Sequence, residues 1–109
     1  KDLRPEAAAV LMSNGTIRFN ISILYPESLE FYTARKMQFD IKRNGKTVKT
    51  VDVGLNDTKE DISGFTDGQY TIVLKIIDFY GNVVSTSNTL SFLHIYNAGA
   101  GSGAGTGER

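Results

Sequence analysis

The chain has no cysteine and no tryptophan, and only one histidine and two prolines in 109 residues. Without cysteine there is no disulfide, no thiolate metal site and no thiol nucleophile, although cysteine-free chains occur both inside and outside cells. An excess of either charge is also missing. Lys and Arg total 12, as do Asp and Glu, so no net field draws the chain to phosphate backbones or anionic lipid, and nucleic acid is not an expected partner. No apolar run approaches the roughly 18 residues of a membrane span, so membrane insertion is not expected. The opening KDLRPEAAAVLMSNG lacks the apolar core of a signal peptide, as in a mature or excised chain. At this length there is room for one domain and one core.

What is present is alternation. In TIRFNISILY, Ile17, Phe19, Ile21, Ile23 and Tyr25 fall on one face and Thr16, Arg18, Asn20 and Ser22 on the other, the period of a half-buried strand. PESLEFYTA breaks that period with a proline and reads as a loop. Met37, Phe39 and Ile41 then alternate with Lys36, Gln38, Asp40 and Lys42. Asn44-Gly45 suits the positive φ angles of a two-residue hairpin turn, with Thr47 to Val53 returning. A short edge strand is expected at Ile62. In QYTIVLKII, Tyr70, Ile72, Leu74 and Ile76 share a face. VVSTSNTLSFLHIY reads as the last strand, with Leu90 and Phe92 in the core. Short strands at this spacing, with no helical period, indicate an all-β sandwich or barrel. The expected division is an N-terminal extension over residues 1–7, a domain over 8–96, and a flexible Gly/Ala/Ser linker or tag over 97–109, where NAGAGSGAGTGER cannot offset its own ordering entropy.

The segment GFTDGQYTIVLKIIDFYGN resembles the E–F corner, F strand and F–G turn of bacterial and archaeal immunoglobulin-like, or fibronectin type III-like, modules. Phe65, Asp67, Gly68, Tyr70, Asp78, Gly81 and Asn82 occupy the positions of that pattern. With no tryptophan on the second strand, the likeness is to the generic bacterial or archaeal module. It implies an all-β immunoglobulin-like sandwich of about seven antiparallel strands over residues 8–96. It also implies a structural corner at Phe65, Asp67, Gly68 and Tyr70, with the Tyr70 ring in the core and its hydroxyl bonded to backbone a few residues upstream. Some relatives carry a Lys isopeptide bond on an early strand. Before Lys36 this chain offers only Lys1, so that variant is not expected here.

No catalytic residues are expected. A nucleophile needs a base and an orienting group within reach, and His94, the lone histidine, sits in the alternating run FLHIY. No cofactor or metal is expected either. Asp52, Asp57, Glu60, Asp61, Asp67 and Asp78 lack EF-hand-like spacing, and Asp67 and Asp78 suit carboxylates that accept hydrogen bonds from turn backbone. Two features point to partners. Val73, Lys75 and Ile77 form a candidate contact face opposite the core face of their strand. The pairs Phe31-Tyr32 and Phe79-Tyr80 form candidate binding loops, where grouped aromatics suit a protein or a glycan. Asn14, Asn20 and Asn56 match the N-glycosylation pattern, which points outward from the cell. The expected function is a non-catalytic extracellular or cell-surface module that spaces or docks neighbouring domains or subunits. The alternatives are an adhesin module that binds protein or glycan, an accessory domain of a secreted hydrolase, and a subunit of a surface filament or phage particle.

Overall fold

The computed structural model describes residues 2–95; the linker or tag expected at 97–109 lies outside the described residues. Eight strands follow in order: β1 Arg4–Leu11, β2 Ile17–Leu24, β3 Ala34–Arg43, β4 Lys46–Val53, β5 Lys59–Ile62, β6 Gly68–Asp78, β7 Val83–Thr86 and β8 Leu90–His94. They form two antiparallel sheets. One has the order β1-β2-β5; the other runs β4-β3-β6-β7, with β8 also paired to β6. Ile72 pairs with Ile41 of β3 and with Leu90 of β8. A strand has two edges, so β8 must share with β7 the edge of β6 that β3 leaves open. β7 and β8 are thus two pieces of one interrupted edge strand, where the sequence pattern suggests a single run.

The sheets face each other across one core because their alternating apolar residues point inward. Phe19 and Phe39 meet across the gap with ring centroids 4.6 Å apart. Ile17 and Ile62 from one sheet, and Met37, Ile41, Ile72, Leu74 and Ile76 from the other, are buried around them. Each such side chain contributes roughly 2 kcal/mol by leaving water.

Two expectations are corrected. The first strand begins at Arg4, inside the residues 1–7 read as an extension; it buries Pro5 and Ala7, and Leu3 just before it is buried too. Pro5 sits opposite Ile23 on a strand paired along one edge only, the place where a missing N–H is tolerated. Tyr25, expected on the inner face, is 41% exposed. Its φ of 58° ends β2 and turns the chain into a 3-10 turn, Pro26–Ser28, before the alternation reaches it.

The strands place the loops at two poles. At one lie the Asn44-Gly45 turn, the β1–β2 turn and residues 63–67. There the Tyr70 hydroxyl donates to the Thr66 carbonyl (2.8 Å), and Phe65 packs edge-on against the Tyr70 ring. Arg43 lies over that ring, 5.5 Å from its centroid, and donates to the Thr66 hydroxyl and the Asp67 carbonyl. A Cβ at Gly68, where φ is 153°, would stand 2.6 Å from Arg43 Nη2, so a side chain there would displace the guanidinium. His94 is buried beside this corner. Its Nε2 is 2.9 Å from the Gly15 carbonyl, its Nδ1 is 3.1 Å from Asp67 Oδ1, and its ring stacks on Phe65. The histidine therefore ties β8 to the β1–β2 turn and to the corner.

Candidate functional site

The other pole holds the segment 25–33 and the turn 79–82, which connect β2 to β3 and β6 to β7. Local chemistry fixes both. Tyr25 and Thr33, at φ 58° and 52°, bracket the first segment in the left-handed region. That region is costly for non-glycine residues, and most of all for a β-branched one. Backbone bonds hold it: Ser28 N to Tyr25 O, Tyr32 N to Ser28 O and Ala34 N to Leu29 O. The turn is built on Asp78, buried at 8% exposure, whose Oδ1 accepts from Tyr80 N (2.9 Å) and Asn82 N (2.8 Å). A carboxylate accepting two backbone donors satisfies the orphan amides of a tight turn. Phe79 N then donates to Thr33 O (3.1 Å), which fastens the two loops together.

This framework holds aromatic rings in water. Phe31, Phe79 and Tyr80 are 80%, 67% and 81% exposed, whereas Tyr32 is half-buried, set edge-on to Phe31 at 5.0 Å and packed on the core. The candidate binding loops Phe31, Tyr32, Phe79 and Tyr80 thus come to one pole. Tyr32 anchors it while the other three project. Glu27 and Glu30 are exposed on the same segment, a feature the alternation-based reading passed over because acidic loop residues carry no pattern of their own.

The candidate contact face lies opposite the core face of β6. Val73, Lys75 and Ile77 are half-buried on the outer face of the larger sheet. Lys75 Nζ lies 3.1 Å from Asp40 Oδ2, and Asp40 also accepts from the Thr47 hydroxyl. One strand pair further along, Asp52 accepts from Lys36 and Gln38. Polar side chains therefore cross the face beside Val73 and Ile77. Burial works to raise the Asp40 pKa, yet hydrogen bonds from Thr47 and Lys75 and the charges of Lys75 and Lys42 outweigh it. They hold the carboxyl below the usual range.

The remaining sequence candidates are dispersed. Asn14 lies exposed in the β1–β2 turn, where its Oδ1 accepts from Thr16 N. Asn20 is exposed on β2, opposite Ala8 and Lys59, and Asn56 is exposed in the β4–β5 turn. Among the described residues, no three His, Cys, Asp or Glu side chains converge as a metal site would require. Among the described residues, the fold assembles two groupings of candidate residues, the corner around Tyr70 and the aromatic pole, and only the second leaves its rings exposed. No protein-family model matches the chain, and neither does any curated protein.

Proposed function

We propose that this chain is a non-catalytic, immunoglobulin-like or fibronectin type III-like module that docks a neighbouring protein domain or subunit through its aromatic pole, in an extracellular or cell-surface protein. The fold part of this reading is supported by the sheet orders β1-β2-β5 and β4-β3-β6 with an interrupted last strand, and by the tyrosine whose hydroxyl returns to Thr66. Spacing is supported by chain direction: β1 starts at the aromatic pole and β8 ends at the opposite one.

One observation carries the docking part. Three aromatic rings stand in water on two loops that are hydrogen-bonded to each other, the first of them bracketed by left-handed residues. Rings that only capped the core would be covered by it, as Tyr32 is. Aromatic side chains on a rigid frame are the usual anchors of interfaces, because little conformational entropy is left to lose on binding. The same grouping favours a glycan as a second reading. Binding on a glycan array that Phe79→Ser with Tyr80→Ser abolishes would select it.

The test is the triple variant Phe31→Ser, Phe79→Ser, Tyr80→Ser. Its thermal midpoint stays within about 2 °C of the parent, while its fluorescence enhancement of an apolar dye falls. A drop of more than about 8 °C, or 1–2 kcal/mol for a domain this size, would make the rings structural and defeat the docking reading.

A further inference from the structure

We infer that the aromatic pole receives the opposite pole of a second copy of this chain, giving a head-to-tail, open-ended association. This proposal rests on the docking reading and names the partner. The evidence is the distribution of charge between the poles. A net charge of zero conceals a dipole. The hairpin segment KRNGKTVK, Lys42 to Lys49, carries four cations and no acid. Arg43 is held within the corner, and Lys49 Nζ donates to the Ser63 carbonyl, so Lys42 and Lys46 remain as the exposed ammonium groups at the tip. Among the described residues near that pole, Asp67 faces His94 and Asp61 pairs with Arg18.

The aromatic pole has the opposite character. Segment 25–33 carries Glu27 and Glu30 and no base, and turn 79–82 carries none either. Of the flanking cations among the described residues, Arg4 pairs with Glu6 and Arg35 is exposed, one charge against the two carboxylates. The ten residues of β3 separate the two poles by roughly 30 Å, more than a Debye length at physiological salt, so the two fields do not cancel within one molecule. Exposed lysines meeting aromatic faces rimmed by carboxylates gain both ion-pair and cation–π attraction. The two surfaces differ, so the contact is heterologous and does not close on itself. Loop tips of this kind fall short of the ~1,600 Å² of a standard interface, so the association is weak and strongly salt-sensitive.

Sedimentation equilibrium of the full chain tests it. At low salt the weight-average mass rises by half or more between about 20 µM and about 1 mM, and the rise disappears near 0.5 M NaCl. A variant with Phe31→Ser and Tyr80→Ser lacks the receiving pole, and one with Lys42→Glu and Lys46→Glu lacks the inserting pole. Each alone stays monomeric. An equimolar mixture forms a dimer and nothing larger, since one intact pole of each kind remains. Adding Glu27→Lys and Glu30→Lys to the Lys42→Glu, Lys46→Glu chain restores association. A parent chain that stays monomeric across that range overturns the proposal, as does self-association of either single-pole variant at the parent level. If the serine variants keep the parent melting midpoint in that case, docking to a different partner still stands. A lowered midpoint removes both readings.

Discussion

Tyr70 shows how one side chain serves two layers. Its ring is 4% exposed, between Phe65 and Phe92, while its hydroxyl reaches out to Thr66 O under the Arg43 guanidinium. Tyr70→Phe keeps the packing and removes the bond, so a loss of about 1 kcal/mol is expected; Tyr70→Ala adds a cavity, for a loss of about 3–5 kcal/mol. Denaturant melts of both variants check this, and a Tyr70→Phe chain as stable as the parent would mean the hydroxyl contributes nothing. Asp40 makes a pH-dependent contribution. Its carboxyl titrates lower in the folded chain than the ~3.9 of an unfolded aspartate. Ionised Asp40 therefore stabilises the fold above the unfolded value, and that contribution is lost as pH falls through the folded one. Asp40→Asn should cost about 1–3 kcal/mol at neutral pH and give a shallower acid limb below about pH 4. Urea midpoints measured from neutral pH downward separate the two curves.

At the scale of elements, β1 depends on a side chain from the other sheet's edge. Asn88 Nδ2 donates to Ala7 O (3.3 Å), and Ala7 N reaches Asn88 Oδ1 (3.5 Å), so one amide stands in for a neighbouring strand. Asn88→Ala should speed hydrogen exchange at Ala7 about tenfold, the equivalent of roughly 1.4 kcal/mol, with little change in β6. Equal acceleration in both strands would show global loss of stability instead. This element also marks the limit of sequence reading. The core faces of β3 and β6 were legible because Met37, Phe39 and Ile41, and Tyr70, Ile72, Leu74 and Ile76, alternate with mostly polar neighbours and are all buried. β1 was not, because Arg-Pro-Glu-Ala-Ala-Ala has poor strand propensity and is held by pairing with β2 and by Asn88. The aromatic pairs were legible one by one. Their meeting was not, because it depends on the bond from Phe79 N to Thr33 O, which joins segments far apart in sequence. Likewise Asp40 occupies a polar place in the alternation, and only Lys75 and Thr47 from neighbouring strands make it a buried charge.

For the whole molecule, the pairings that define the sandwich are non-local. β2 meets β5 with Ile17 opposite Ile62, and β6 meets β8 with Gly68 opposite His94. Loops must close before these contacts form, so refolding is expected in about milliseconds to seconds; stopped-flow traces faster than about 100 µs would contradict that topology. The interruption between β7 and β8 bears on a different hazard. Opposite it, Leu74 N is satisfied by the Ser87 hydroxyl and Leu74 O by Ser87 N, so the backbone loses no partner although the outer strand stops and restarts. A continuous edge from Val83 to His94 would offer a long row of free amides and carbonyls to any passing chain. Cut into pieces of four and five residues, it is a poor template for edge-to-edge growth into fibrils. A module that joins copies end to end through its poles thus has a sheet edge unsuited to joining them side by side.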